Sequence, residues 1–304
     1  MIRFWVFVCL ICVSPTAHAQ RYDSSIFSLP IQMDAVTVKA ARGGWDLAGF
    51  IRRVKNDTTF YRAFKNLRFL SYDFTNDIRV YNSKGKVAAS LYSKTRQTYA
   101  NRCRSMQVLE EKTTGNFYKR NKQYNYYTAE LYDHLFFTHG KICNEPDVLS
   151  GPVGGGKGQV EKNANKLKQL MFNPGSKVSG VPLMGDKAAI FEPSVAKMYD
   201  FKLNSDEYNG IDCYVFKAIP KKGYEDDVVY DELTTWFRKT DYTIMARDYS
   251  LSYKAGVYDF RVKMKVRTQQ IGKRLIPSRI EYDGNWHIFT KKRERVRFVT
   301  IITP

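Results

Sequence analysis

Histidine is scarce in this chain, with four in 304 residues, and His18 lies in the first twenty, leaving His134, His139 and His287 for the rest. An enzyme needs acids, bases or nucleophiles that converge, and few candidates are present. His134, His139 and Cys143 beside Asp133 match no established zinc spacing and lack a second ligand pair, so no metal is expected. No G-x-S-x-G elbow occurs. Asp226-Asp227 and Asp231-Glu232 read as solvated acids around a turn and strand start, not as a glycosidase pair. The tract Gly151 to Lys157 follows G-x-x-x-x-G-K, yet Gly158 stands where magnesium binding requires Ser or Thr, and no apolar strand feeds the loop. It reads as a hinge, and the chain as non-enzymatic and without cofactor.

No apolar run reaches the roughly 20 residues that cross a bilayer as a helix. The run Phe4 to Val13 follows the basic Arg3, breaks at Ser14-Pro15, and precedes the small-x-small motif Ala17-His18-Ala19. That order predicts a secretory signal over residues 1–19, cleaved after Ala19, and a periplasmic or cell-envelope location. Neither Cys9 nor Cys12 follows the small residues of a lipidation site. Of five cysteines, Cys103, Cys143 and Cys213 remain after the signal, enough for one internal bridge in an oxidising compartment. Cys103 and Cys143 are the candidate pair, because both sit in polar, loop-like stretches while Cys213 alternates into a strand.

Acidic residues are outnumbered 30 to 49 by lysine and arginine, a formal charge of +19. In the cytosol such a balance would suggest nucleic acid; export removes that partner. Anionic membrane surfaces, polyanionic polymers or simple self-repulsion remain open.

Asp34 to Ala40 reads as a short strand after a polar leader, and residues 20–44 lie outside the main domain, which is expected over 45–304. From Trp45, Leu47, Phe50, Ile51 and Val54 recur at helical spacing, and Phe60, Phe64 and Leu67 repeat the pattern after Asp57-Thr58-Thr59. Two amphipathic helices follow. Tyr72, Phe74, Ile78 and Val80 then fall on one side of a strand, Ser83 to Lys86 turns, and Val87 to Ser93 runs back. The tyrosine-rich stretch from Gln97 to Gly140 admits strand pair or helix, with Thr128 to Thr138 read as helical. A glycine-rich loop at Gly151 to Gly158 and a helix over Gln159 to Phe172 predict a helical insertion near 151–175.

The last hundred residues read as an antiparallel meander from Met198 to Thr303, with Asp283-Gly284-Asn285 as one of its turns between strands Ile276 to Tyr282 and His287 to Lys291. Val257 to Arg267 alternates strictly. Tyr258, Phe260, Val262, Met264 and Val266 share one face; Asp259, Arg261, Lys263, Lys265 and Arg267 share the other. The fold class is therefore α+β, mostly antiparallel: a curved open half-barrel sheet with covering amphipathic helices. Its aromatic face is either fully packed or leaves a cavity for acyl chains lined by Trp236, Phe237, Tyr249, Tyr258, Phe260 and Met264, with Phe60 and Phe64 from the helical lid.

Glu207 to Lys221 (EYNGIDCYVFKAIPK), then Leu233 to Asp241 (LTTWFRKTD), then Ile244 to Tyr249, resemble the periplasmic lipoprotein-carrier superfamily of the LolA, LolB and RseB type, over about a third of the chain. The tyrosine-rich style is also similar to that of secreted proteins of Bacteroidetes-type bacteria. The resemblance implies an open half-barrel closed by helices, binding a lipid, an acylated protein or another apolar ligand. The competing expectation is a structural module of the envelope that binds an acidic partner through the basic face Arg261, Lys263, Lys265 and Arg267.

Overall fold

The computed structural model describes residues 46–147, 170–178, 184, 186–255, 258–288 and 292–304. The signal, the leader strand at Asp34 to Ala40, the Gly151 to Gly158 loop and most of the Gln159 to Phe172 helix lie outside them.

Helix α1 spans Leu47–Asn56 and buries Leu47, Phe50, Ile51 and Val54, the stripe that the spacing predicts. The Asp46 carboxylate accepts the Gly49 N–H at 2.7 Å and so caps its start. Asp57 ends α1 and prepares the next helix, accepting both the backbone N–H and the hydroxyl of Thr59 at 2.7 Å. Helix α2, Thr59–Asn66, has eight residues, too few to persist alone in water. Its buried face of Phe60, Ala63 and Phe64 supplies what propensity cannot, each large side chain contributing roughly 2 kcal/mol on burial. A 3₁₀ turn, Leu67–Phe69, leads into the sheet.

The strands are β1 Tyr72–Tyr81, β2 Val87–Ala100, β3 Cys103–Gly115, β4 Lys141–Cys143, β5 Tyr199–Tyr208, β6 Ile211–Pro220, β7 Tyr230–Arg238, β8 Ile244–Ala255, β9 Tyr258–Ile271, β10 Arg274–Ile288 and β11 Glu294–Thr303. Helix α3, Tyr127–Phe136, lies between β3 and β4, and a single turn, α4, spans Pro193–Ala196 before β5. All eleven strands form one open antiparallel half-barrel sheet in the order β4-β3-β2-β1-β11-β10-β9-β8-β7-β6-β5. The chain runs outwards from β1 to β4, crosses to the far edge at β5, and meanders back until β11 pairs with β1, Ile78 opposite Phe298.

Three places differ from the sequence reading. Asp283-Gly284-Asn285 makes no turn: β10 runs through it, with Gly284 opposite Val262 on one side and Val296 on the other. The glycine is needed for space, because the Tyr282 phenol folds across it and an added Cβ would collide with that ring. The return strand β2 extends well past Ser93, to Ala100. Beyond it, Cys103–Gly115 is a third strand, which its mostly polar, largely exposed sequence conceals from a hydrophobic-alternation test.

The helices cover the inner face. Phe50 of α1 meets Phe216 and Phe237 with ring centroids 6.1 and 5.4 Å apart. Tyr132 and Phe136 of α3 lie against Phe298 at 4.8 and 6.2 Å. The start of α3 is tied down by Glu294 of β11, which accepts the Tyr127 and Thr128 N–H groups at 2.7 and 2.8 Å and the Thr128 hydroxyl at 2.7 Å. Cys103 and Cys143 lie opposite each other in the β3–β4 pair and are disulfide-bonded, while Cys213 is free and buried.

Candidate functional site

Phe60, Phe64, Phe237, Tyr249, Phe260 and Met264 all lie in one continuous buried core. Cross-strand register brings several together: Tyr249 faces Met264, and Tyr253 faces Phe260. Trp236 does not join them. As the neighbour of Phe237 on one strand it points to the opposite face, half-buried beside the Tyr208 ring at 5.8 Å. The side chain of Tyr258 is outside the described residues.

On the outer face Arg261, Lys263 and Lys265 are exposed, whereas Arg267 is half-buried, bonded to Asp248 and set over the Tyr208 ring. Lys265 sits between Asp248 of β8 and Glu281 of β10, and Lys263 has Asp283 beside it. Acids on the flanking strands thus interrupt the cationic row. Asp133 accepts from the Tyr124 hydroxyl and pairs with His139, both at 2.7 Å, and Cys143 is taken by the disulfide. Among the described residues no group of three His, Cys, Asp or Glu is placed to hold a metal ion, and no helix is long and apolar enough to cross a membrane.

The depressions among the described residues include three of differing chemistry. One, of about 530 Å³, is lined by mixed charges including Glu225, Asp226, Lys254, Asp259, Arg261 and Arg293, with Phe260 at its base. Another, of about 420 Å³, opens beside Asp46, Phe50 and Tyr214. The third, about 80 Å³, lies between α2 and α3 and differs in chemistry: Phe64, Leu67, Phe136, Phe137 and Phe172 form an apolar floor, and Lys65, Arg68, Arg104 and His134 stand around it.

Several polar lining residues of that third pocket are tied to one another and to the backbone. Gln97 of β2 donates to the Leu67 and Leu70 carbonyls at 2.7 and 2.8 Å, and its own side-chain oxygen accepts the Thr138 hydroxyl at 3.1 Å. Arg104 donates to Thr138 and to both oxygens of Glu145, at 2.5 and 3.2 Å to the latter, and Arg68 reaches the same carboxylate at 3.5 Å. Burial, aided by repulsion from Arg68 and Arg62, lowers the pKa of Lys65 below that of an ordinary lysine. At the apolar end the Phe64 and Phe172 rings stack with centroids 3.9 Å apart, closing the floor.

Beyond that stack is a residue that sequence reasoning missed. Arg247 is only 5% exposed and belongs to the inner face of β8 with Tyr249 and Leu251. Period-two alternation along Ile244 to Tyr253 contains the signal, since positions 247, 249, 251 and 253 must share a side. Its Nε donates to the Thr235 hydroxyl at 2.9 Å and its guanidinium lies 4.3 Å from the Phe60 ring centroid. Burial lowers its pKa to about 10, which leaves it charged at neutral pH.

No protein-family model matches the chain, and no curated protein does. Among solved structures, a DUF1329 family protein from Desulfovibrio piger aligns over 83% of this chain and 91% of its own, at 12% identity and a TM-score of 0.26. A domain described as an outer membrane lipoprotein-sorting protein domain, from Vibrio parahaemolyticus, aligns over 84% and 88% at 9% identity and a TM-score of 0.25. Superpositions this loose carry no argument, and the functional reading rests on the geometry of this chain.

Proposed function

We propose that this chain is a non-enzymatic binding or carrier protein of the cell envelope, whose ligand is a lipid, an acylated protein or another acyl-bearing molecule held beneath the helices. The carrying observation is the α2–α3 pocket, whose lining sets Phe64, Phe136, Phe137 and Phe172 beside Lys65, His134 and the Glu145-paired Arg68 and Arg104. Apolar lining with a few convergent polar groups is the usual make-up of a small-molecule site. The Cys103–Cys143 bridge fits an oxidising compartment.

At about 80 Å³ the pocket takes only a few methylene groups, so a longer chain must part the Phe64–Phe172 stack. Each methylene then buried contributes about 0.8 kcal/mol, and ten of them would exceed the cost of separating two rings. Reading the outer face as a polyanion site has less support, because Asp248, Glu281 and Asp283 lie among its lysines.

The test is to export the chain, purify it without detergent, extract it with organic solvent and analyse the extract by mass spectrometry, then titrate the stripped protein with a fluorescent fatty acid. Co-purified acyl compounds and saturable binding are expected. An empty protein that also fails to bind the probe would overturn the reading.

A further inference from the structure

Among the described residues Arg247 has no counter-ion. Among the described residues its partners are the Thr235 hydroxyl and the Phe60 ring, and no carboxylate comes within 4.0 Å. Asp57, the acid whose charge acts on it through space, has one oxygen engaged by both the N–H and the hydroxyl of Thr59. The neighbouring tyrosines direct their protons elsewhere: Tyr230 donates to the Leu170 carbonyl at 2.9 Å, and Tyr249 to that of Met171. Holding a cation in the core without an anion costs several kcal/mol by desolvation. The Nη side of the fork, which carries no hydrogen bond to a described residue, is the part of an arginine that matches an oxyanion with two parallel bonds.

A line of aromatic rings leads from the pocket to this cation. Phe64 lines the pocket and stacks on Phe172; Phe60 lies 5.4 Å from Phe64; the guanidinium lies 4.3 Å beyond, over Phe60. We propose that Arg247 is the anchor for the anionic head of a single-chain acyl ligand, a carboxylate or a phosphate monoester, which enters between α2 and α3 and passes the Phe64–Phe172 stack head first. This inference rests on the binding function proposed above. The chain of the ligand then lies among Phe60, Phe64 and Phe136, with its end towards the α2–α3 opening.

The experiment is calorimetric titration of the delipidated full chain with dodecanoate, dodecyl phosphate and dodecan-1-ol, for the wild type, Arg247→Met, Arg247→Lys and the rim variant Lys65→Ala/Arg68→Ala. The wild type is expected to bind at least one of the two anions tenfold or more tightly than the alcohol, the preferred anion telling carboxylate from phosphate. Arg247→Met should bind all three alike, whereas the rim variant, which loses lining residues of the pocket, should bind all three more weakly while still preferring the same anion. Should Arg247→Met fail to fold by circular dichroism, Arg247→Lys, which keeps the charge but loses the fork, must lose most of the preference. Equal binding of anions and alcohol by the wild type would overturn the anchor while leaving the binding function standing. So would a preference that vanishes in the rim variant and persists without Arg247. No binding of any of the three would sink both.

Discussion

Neighbouring side chains on a strand do opposite work, and Trp236 and Phe237 make the contrast measurable. Phe237 is fully buried against Phe50, whereas Trp236 is half-exposed on the other face. Replacing Phe237 by alanine should cost about 3–5 kcal/mol, the usual loss for an emptied aromatic site in a core. Trp236→Ala should cost clearly less despite deleting the larger ring, and urea midpoints of the two variants check the order. Alternation made Phe237, Tyr249, Phe260 and Met264 legible as one face. Trp236 was grouped with them on chemical type alone, against that same rule. Arg247 escaped notice for the converse reason: an arginine is normally placed outside, so its alternation with Tyr249 and Leu251 is easily passed over, and its register beside Thr235 and Val266 places it inside.

Among the elements, α3 owes the anchoring of its first turn to a distant residue. Its N-terminal N–H groups have no partner within the helix and are satisfied by Glu294, 166 residues along the chain. Glu294→Ala should therefore destabilise by about 1–2 kcal/mol, as the loss of a cap does, and should raise amide hydrogen exchange over Tyr127–Phe136 before other elements respond. Unchanged exchange there would mean that packing of Tyr132 and Phe136 holds the helix unaided. The same element is enclosed by the Cys103–Cys143 loop, whose ends are 40 residues apart. In the chain-entropy account a loop of that size stabilises by roughly 4 kcal/mol. Dithiothreitol should accordingly lower the melting temperature, with β4 the first strand to exchange, since only three residues pair it to β3. No periodicity in residues 97–143 announces β3 and β4, because that edge is mostly polar and wet, whereas α3 is legible in outline from its apolar residues.

For the whole molecule, the buried tyrosines set the alkaline limit. Burial is the first cause that raises Tyr132, Tyr230, Tyr249 and Tyr282 above the ordinary value of 10.0. A phenol whose pKa is raised on folding contributes stability that is complete below pH 10.0 and is lost as pH climbs through the folded value. Stability should hold up to about that pH and then fall, with tyrosinate absorbance from the buried rings appearing together with the loss of circular dichroism. A smooth rise in absorbance with the fold intact would show that water reaches those rings. The sheet itself is legible in its last seven strands, apart from the turn misplaced within β10, because short turns and period-two patterning leave few choices. It is not legible where β11 closes on β1, because nothing local couples residues more than two hundred positions apart.

The sequence by itself determined the alternation of wet and dry faces, the two helices before β1 and the antiparallel meander after Tyr199, because each follows from spacing within a dozen residues. The tertiary structure alone decided that Asp283-Gly284-Asn285 runs straight, that β3 and β4 extend the sheet past the β1–β2 hairpin, and that an arginine lies in the core beside a line of phenylalanines. Those outcomes depend on what stands opposite in space: Tyr282 over Gly284, Glu294 beneath α3, Phe60 against Arg247. A linear pattern records the period of a strand, whereas its neighbour is chosen by the packing of the whole.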